Sequence, residues 1–477
     1  MNFTMKKIIL FLTSFVLMCG CNKMLDKAPY GAVSEASFYK TDTDAVMAVN
    51  SVYHRLQNGW VFGGFSFVLD IWSDDCVKGG GGPGDNAGWT ELEEWSVQTS
   101  NGVASSWWSA HYGGVYRANI CIQKVSEMPD SPIKSRVLGE ALFLRAMFYS
   151  RLVQIFGDLP YWTDPDMEGL KELSRTPASE CWDYIIGDLQ EAIKLLPESY
   201  TGADVGRATK YSAYALLGRA YLYKKQWQDA ADAYAQIIKS GKYRLMDDFA
   251  ANFTNTTSDN LPESVFEVQF ASGTGSASRA FERHGWCRPR DIPYEYSGNG
   301  FAQPKESLVK EFEEGDVRRA ATVMVPGDIL WDGVPYDPAW SPYSGYNAMK
   351  YVFGPGVTHQ EADVNFKVFR YSEILIGYAE AVMNGAVGNA GITGLQAFNM
   401  VRERAGLEGV SSLTLDAVLH ERRVEFALEG HRFFDVVRCG KAREIFGSQF
   451  DTNRDELMFI PVNELLMNTN LKQNPGY

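Results

Sequence analysis

Two acidic doublets, Asp74-Asp75 and Glu93-Glu94, are the residues most suited to catalysis in this chain. Glycosidases cleave sugars with two carboxyl groups placed on either side of the scissile bond. Adjacent residues point in different directions, however, and neither doublet has a partner at a spacing that would pair the carboxyl groups. The sequence also lacks GxSxG, HExxH and a catalytic Cys/His signature. We therefore expect a protein that is not an enzyme.

Three further motifs resemble ligand sites only in part. The glycine-rich stretch GGGGPG (residues 79–84) is not followed by GK[ST], so we expect a flexible loop rather than a phosphate site. His284 and Cys287 stand three residues apart without a second pair of metal ligands nearby. DTNRDE (residues 451–456) begins like a calcium loop, but Glu456 replaces the required glycine. We expect neither a metal nor a cofactor.

The charge balance limits the possible partners. The chain has 59 acidic against 45 basic residues, a net charge of −14, and no basic run. A nucleic-acid backbone is therefore excluded as a partner, because such binding depends on clustered Lys and Arg. The cysteines beyond the first 21 residues are far apart and without CxxC spacing, which predicts neither a disulfide framework nor a zinc site.

The N-terminus reads as the leader of an exported lipoprotein. Lys6 and Lys7 precede eleven almost wholly apolar residues (8–18), too few to cross a bilayer, which needs roughly 20. Gly20 provides the small residue required before a cleavage site. We interpret MCGC as a lipoprotein box, with residues 1–20 as signal peptide and Cys21 as the lipidated residue. An ordinary signal peptide that ends nearby is the alternative.

Helical patterns with clear start and stop residues follow. Thr41 and Asp44 have the spacing of a capping box, and Pro132 and Pro177 stand where helices accept proline at their first turn. Trp107 and Trp108 fall within a helical pattern, and we expect both to be core residues.

One stretch has the spacing of a tetratricopeptide repeat. Gly218 precedes Tyr221 by three residues, and Ala230 precedes Tyr234 by four, so small residues stand where two antiparallel helices cross. Less regular helical pairs follow after residue 370. The sequence predicts a mostly α fold of about four stacked pairs, covering about residues 131–240 and 371–441.

Two long segments lack a helical period. Residues 60–104 and 241–370 are rich in glycine and aromatic residues, and within the second segment only FEVQF (266–270) has the pattern of a strand. Aromatic residues are unusual in disordered linkers. We therefore expect packed loops that face a ligand.

Six blocks of the chain together resemble the SusD/RagB family of Bacteroidetes outer-membrane lipoproteins. They cover essentially all of residues 21–477, which we interpret as a single SusD-like domain. The blocks are CNKMLDKAP, GEALFLRAMFYSRLVQIFGDLPYW, DLQEAIKLLP, RYSEILIGYAEA, ERRVEFALEGHRFFDVVR and FIPVNELLMNTNLKQNPGY.

The resemblance implies a function as well as a fold. It implies a tetratricopeptide-like scaffold with a loop-rich half, lipid attachment to the outer membrane and a body that faces outward. It further implies non-catalytic capture of an oligo- or polysaccharide and delivery to a SusC-like TonB-dependent transporter. We assign the Glu and Arg residues of the fifth block to folding, through i, i+3 and i, i+4 pairs and helix caps.

The residues that would bind the carbohydrate are chosen by their chemistry, because the resemblance implies no fixed set of binding residues. An aromatic ring packs against the C–H face of a sugar, and polar side chains bind its hydroxyl groups. Loop residues of these types are the candidates: Asn86, Trp89, Arg283, Trp286, Arg288, Tyr294, Tyr296, Trp331 and Trp340.

A peptide- or protein-binding lipoprotein of a RagB-like uptake system is the alternative function, because helical repeats commonly present a groove to other chains. The two hypotheses predict different surfaces. A glycan-binding protein requires loop aromatics exposed together on one face, whereas a peptide-binding protein requires a broad groove without them.

Overall fold

The computed structural model describes residues 38–165, 169, 171–254, 257–271, 282–293, 297–357 and 362–477. The leader and Cys21 lie outside these ranges. Within the described part of the chain, no helix has both the length and the apolar character needed to cross a membrane.

The fold is mostly α-helical. The helices before residue 241 are α1 (Asp42–Leu56), α2 (Val68–Ile71), α3 (Ala87–Glu93), α4 (Gly102–Ser126), α5 (Pro132–Phe156), α6 (Ala178–Leu195), α7 (Lys210–Tyr223) and α8 (Trp227–Ser240). Those after it are α9 (Arg283–Cys287), α10 (Glu306–Val309), α11 (Arg318–Thr322), α12 (Tyr371–Met383), α13 (Gly394–Arg404), α14 (Leu415–Phe426), α15 (Arg432–Arg438), α16 (Ala442–Phe446) and α17 (Val462–Met467).

The helix boundaries follow the start and stop residues in the sequence. The Thr41 side chain accepts a hydrogen bond from the Asp44 N–H, and the Asp44 carboxylate accepts one from the Thr41 N–H, which completes the capping box of α1. Ser131 caps α5, and Pro132 occupies its first turn. Gly157 ends α5 with φ of 72°, a conformation that favours glycine.

The long helices pack as consecutive neighbours. Helices α4 to α8 each contact the next along the chain, α8 then packs against α12, and α12 against α13. The Tyr234 ring on α8 lies over Gly218 of α7 and Gly377 of α12, where an added Cβ would come within 2.5 and 2.7 Å of it. These contacts confirm the predicted tetratricopeptide-like scaffold. Because α8 packs against α12, the helices before residue 241 and those after residue 370 form one scaffold, although the irregular segment separates them in sequence.

Three short antiparallel sheets of two strands each lie in the described part of the irregular half. Strand β1 (Cys76–Gly79) pairs with β3 (Phe301–Pro304), β2 (Ser264–Val268) with β6 (Phe366–Arg370), and β4 (Val323–Met324) with β5 (Asn347–Ala348). The strand predicted at 266–270 is present, and it begins two residues earlier.

A network of buried ion pairs holds the irregular half to the C-terminal helices. The guanidinium group of Arg370, at the end of β6, lies 2.8 Å from Glu263, 2.6 Å from Glu425 and 2.7 Å from Glu429. Lys350 lies 2.8 Å from Glu429, and all five side chains are almost fully buried. We name these five residues the ion network.

Most charged side chains of residues 421–438 do not form the i, i+3 or i, i+4 pairs that the sequence predicts, so that prediction is wrong for them. Arg438 and Asp435 do form an i, i+3 pair at 2.9 Å. Arg423 instead contacts Asp75, 348 residues earlier in the chain, at 2.9 Å. These side chains serve folding as expected, but they do so by tying distant segments together, because burial makes a specific partner necessary.

Candidate functional site

Three aromatic rings lie together, partly exposed, on the irregular half. The ring centroids of Trp60 and Phe65 are 4.7 Å apart, and those of Phe65 and Trp286 are 5.0 Å apart. Each of the three side chains is half-buried. We name Trp60, Phe65 and Trp286 the aromatic surface.

Glycines allow the chain to bring these rings together. A Cβ on Gly59 would lie 2.9 Å from the Phe65 ring, and one on Gly64 would lie 3.3 Å from the Trp286 indole nitrogen. A side chain at Gly59 would press on the Phe65 ring of the same stretch, and one at Gly64 would press on Glu282 and Trp286 of the facing segment. The glycine-rich segment around residues 59–64 is therefore a structural requirement of the aromatic surface.

Trp89 supports the aromatic surface from beneath. Its ring contacts Trp60 at 6.5 Å, Phe65 at 6.0 Å and Trp286 at 6.3 Å. On its other side it meets Phe301 of β3 at 4.8 Å. Edge-to-face contacts of this kind fix the orientation of the partners as well as burying area, so Trp89 holds the three exposed rings in place.

Polar side chains lie on the loop that leads into α3, the helix that carries Trp89. The loop before α3 is held by Lys78, whose ammonium donates to the carbonyls of Gly82 and Asp85 at 2.6 Å each; burial lowers its pKa. Arg290 reaches within 3.6 Å of the Asp85 carboxylate and is exposed. Asn86 is exposed beside it, with φ of 54°. These amide and charged groups can hydrogen-bond to hydroxyl groups.

For three of the predicted carbohydrate-binding residues, burial of the side chain contradicts the prediction. Trp89 is 4 % exposed because it faces inward from α3, rather than lying on a loop. Arg283 is fully buried and donates from Nη2 to the Asp70 carboxylate at 2.9 Å. Arg288 is also buried, with Nη1 3.5 Å from the Val357 carbonyl. None of the three presents its polar or aromatic face to solvent.

The other predicted residues fall into three groups. Trp286 belongs to the aromatic surface, and Asn86 is exposed on the loop before α3. Trp331 is 39 % exposed and packs against Gly354, while Trp340 is half-buried with Tyr336 as its ring neighbour, so both belong to a different loop. The last group, the tyrosines at 294 and 296, lies outside the described residues.

Trp60 and Phe65 were missed by sequence reasoning. The stretch GWVFGGF has the composition of a functional loop, with glycines and aromatic residues interleaved. That composition could have identified the segment. It could not have shown which rings are exposed, because Phe62 in the same stretch is buried.

The acidic doublets do not form a catalytic pair. The Asp74 carboxylate is 2.8 Å from Arg432, and that of Asp75 is 2.9 Å from Arg423. Burial raises the pKa of Asp75 to about 6. Glu93 accepts a hydrogen bond from the Lys78 N–H at 2.7 Å. Asp74 and Asp75 therefore hold the first irregular segment to α14 and α15.

Two family models match the chain. The model of the SusD family matches residues 262–456, and a model described as "Starch-binding associating with outer membrane" matches residues 82–222. A protein called SusD-like protein P2, from Formosa agariphila, is 27% identical over 507 residues, which cover 98% of this chain and 99% of that protein.

Solved structures with the same fold span nearly the whole chain. A laminarin binding SusD-like protein is 30% identical, with a TM-score of 0.81 over 92% of this chain and 100% of that chain. Surface glycan-binding protein A from Bacteroides fluxus is 27% identical, with the same TM-score and coverage. The similarity therefore includes both the helical scaffold and the irregular half.

Proposed function

The chain belongs to the SusD family, and from this we propose that it is a surface protein that captures a carbohydrate without cleaving it. The observation that carries the proposal is the aromatic surface. Trp60 and Phe65 come from one stretch of the sequence and Trp286 from another more than 200 residues later, and all three remain partly exposed although most aromatic side chains of the described residues are buried.

The chemistry of the aromatic surface suits a sugar chain. The C–H face of a pyranose ring packs against an indole or phenyl ring, and neighbouring amide, carboxylate and guanidinium groups bind the hydroxyls. Asn86, Asp85 and Arg290 supply those groups. The planes of Trp60 and Phe65 are tilted by 35°, and those of Phe65 and Trp286 by 53°, so successive sugar rings would have to turn relative to one another.

The titles of the structural relatives suggest the first ligand to test. One relative of 30% identity is described as laminarin binding. Laminarin is therefore the first polysaccharide to test on this chain, with starch second because of the description of the matching family model.

We further propose that Cys21 carries a lipid that attaches the protein to the outer membrane, facing outward, and that a SusC-like transporter receives the glycan. Support comes from the MCGC box and from the family description, which includes association with the outer membrane. Incorporation of labelled palmitate into the full-length protein, and its loss in Cys21→Ser, is the expected result. Equal labelling of both would contradict the assignment of Cys21.

Electrophoresis in native gels that contain one polysaccharide each tests the carbohydrate function. We expect laminarin or another glycan to retard the mature protein. Trp286→Ala and Trp60→Ala should each weaken binding by about tenfold, because each removes a stacking face. Tyr184→Ala is the matched control, since Tyr184 is an exposed aromatic residue on the scaffold helix α6.

The results separate the hypotheses. Retardation that is lost in Trp331→Ala but unchanged in Trp286→Ala would place the glycan on the other loop. If no polysaccharide retards the protein and peptides bind to it instead, the proposal of carbohydrate capture is wrong and the RagB-like alternative is correct.

A further inference from the structure

A cavity lies on the helical scaffold, and none of the described residues that line it belongs to the aromatic surface. It has a volume of about 570 Å³ and lies between α4, the segment after α5 and α17. Four aromatic side chains line it: Trp108, Tyr112, Tyr116 and Trp162. We name it the scaffold cavity.

The aromatic rings of the scaffold cavity form two contacting pairs. Trp108 and Tyr112, one turn apart on α4, have ring centroids 4.7 Å apart. Tyr116 and Trp162 lie parallel, with 2° between their planes and 5.9 Å between their centroids. The Trp162 carbonyl accepts hydrogen bonds from Asn119 and Tyr149, which hold the segment after α5 in place.

Polar groups in the scaffold cavity are few, and several already form hydrogen bonds with other groups of the protein. The Tyr112 hydroxyl donates to the Pro160 carbonyl at 2.9 Å. The Asn468 side chain donates to the Leu173 carbonyl and accepts from the Asn470 N–H. The lining of the scaffold cavity is therefore mostly apolar.

One carboxylate faces this apolar cavity. Glu464 of α17 accepts a hydrogen bond from the Trp108 indole, and burial raises its pKa. Among the described residues, no Lys, Arg or His forms an ion pair with Glu464. The exposed ammonium group of Lys171 also borders the cavity.

We propose that the scaffold cavity binds an organic cation, a methylated or alkylated ammonium group. Aromatic faces attract such a group through their quadrupoles, and the cation makes no demand for hydrogen bonds. Glu464 supplies the compensating negative charge. The same ammonium chemistry is present in a free cation such as choline and in a lysine side chain of a peptide, so the test includes both.

Isothermal titration calorimetry of the mature protein with choline tests the proposal. The matched ligand control is 3,3-dimethylbutan-1-ol, which replaces the charged nitrogen by carbon and keeps the shape. We expect choline to bind at least about tenfold more tightly than this alcohol, because the alcohol lacks the cation–π attraction. A short peptide with one trimethyllysine tests whether the cavity binds an ammonium group that belongs to a peptide.

Variants of the protein locate the site. Glu464→Gln and Tyr116→Leu should each weaken choline binding by about tenfold, since the first removes the charge at nearly constant size and the second replaces an aromatic face by an aliphatic side chain. Tyr116→Phe should bind as the unchanged protein does.

Several results would overturn the proposal. Equal binding of choline and the neutral alcohol would show an apolar cavity without preference for charge. No binding of choline or of the peptide, or binding unaffected by Glu464→Gln, would also contradict it. Retardation by polysaccharide should be the same in all these variants, so failure here is distinguishable from failure of the carbohydrate proposal.

Discussion

The helical scaffold and the irregular half of this protein are stabilised by different chemistry. In the scaffold, glycines such as Gly218 and Gly377 let helices approach closely around the Tyr234 ring. In the irregular half, buried charges such as Arg370 and Glu425 join short strands to helices from elsewhere in the chain. Ion pairs also join scaffold helices, as Arg219 of α7 and Glu373 of α12 do at 2.7 Å, but there they add to close helix packing, whereas in the irregular half they stand in place of it.

This difference bears on function. A segment with little regular structure can hold a fixed surface only if its backbone is fastened at several points, since loops lack the continuous hydrogen bonding of helices. Asp70 and Asp75, which lie within the first irregular segment, form ion pairs with Arg283 and Arg423. These ion pairs hold the loops that carry the aromatic surface in fixed positions.

The largest expected effect comes from breaking the ion network. Arg370→Met should lower the free energy of unfolding by about 3 kcal/mol or more, because three buried carboxylates lose a partner. Urea unfolding followed by circular dichroism measures it. Lys194→Met is the control, since Lys194 pairs with Glu191 at an exposed site. Equal effects of the two substitutions would mean that the buried network is no more important than a surface pair.

A smaller effect is expected from overfilling the scaffold. Gly218→Ala should cost about 1–3 kcal/mol, because the new methyl group would overlap the Tyr234 ring. Gly187→Ala on the exposed face of α6 should instead stabilise the protein by about 0.5–1 kcal/mol, since nothing lies near its Cβ and alanine favours the helix. Thermal unfolding measures both. Stabilisation by both substitutions would refute the close approach of α7 and α8.

The smallest effect concerns one partly exposed histidine between the two regions. His420 of α14 lies 2.7 Å from Glu311 and 3.1 Å from Glu313, and its hydrogen bond with Glu311 raises its pKa. Protonated His420 should stabilise the fold by about 1 kcal/mol or less. The stabilisation is fully present below the unfolded pKa of about 6.5 and is lost as pH rises through the folded pKa.

Comparison of the unchanged protein with His420→Gln over pH 5.5 to 9 checks this sign. We expect the difference in unfolding free energy to shrink as pH rises. A difference that grows with pH would mean that neutral, not protonated, His420 is the form that stabilises the fold.

The scaffold could be predicted from sequence because its determinants are local. The capping box of Thr41 and Asp44 spans four residues, and the repeat offsets around Gly218 span a single helical pair. Trp107 and Trp108 were confirmed as buried for the same reason, since the periodicity of one helix shows which residues share a face.

The irregular half could be predicted only in outline because its contacts are distant in sequence. Arg283 and Arg288 look like exposed loop cations until Asp70 and Val357 are known to be their neighbours. Trp89 and Trp286 are both tryptophans near glycines, yet the fold buries the first and leaves the second half-exposed. Nothing within either segment distinguishes them.

The crystal structure of the mature protein with an oligosaccharide, from whichever polysaccharide retards it most, tests the central claim most directly. The account predicts sugar rings in van der Waals contact with Trp286 and with Phe65 or Trp60, and hydroxyl groups bound by Asn86 or Arg290. An oligosaccharide bound to a face that includes none of the three rings would contradict it.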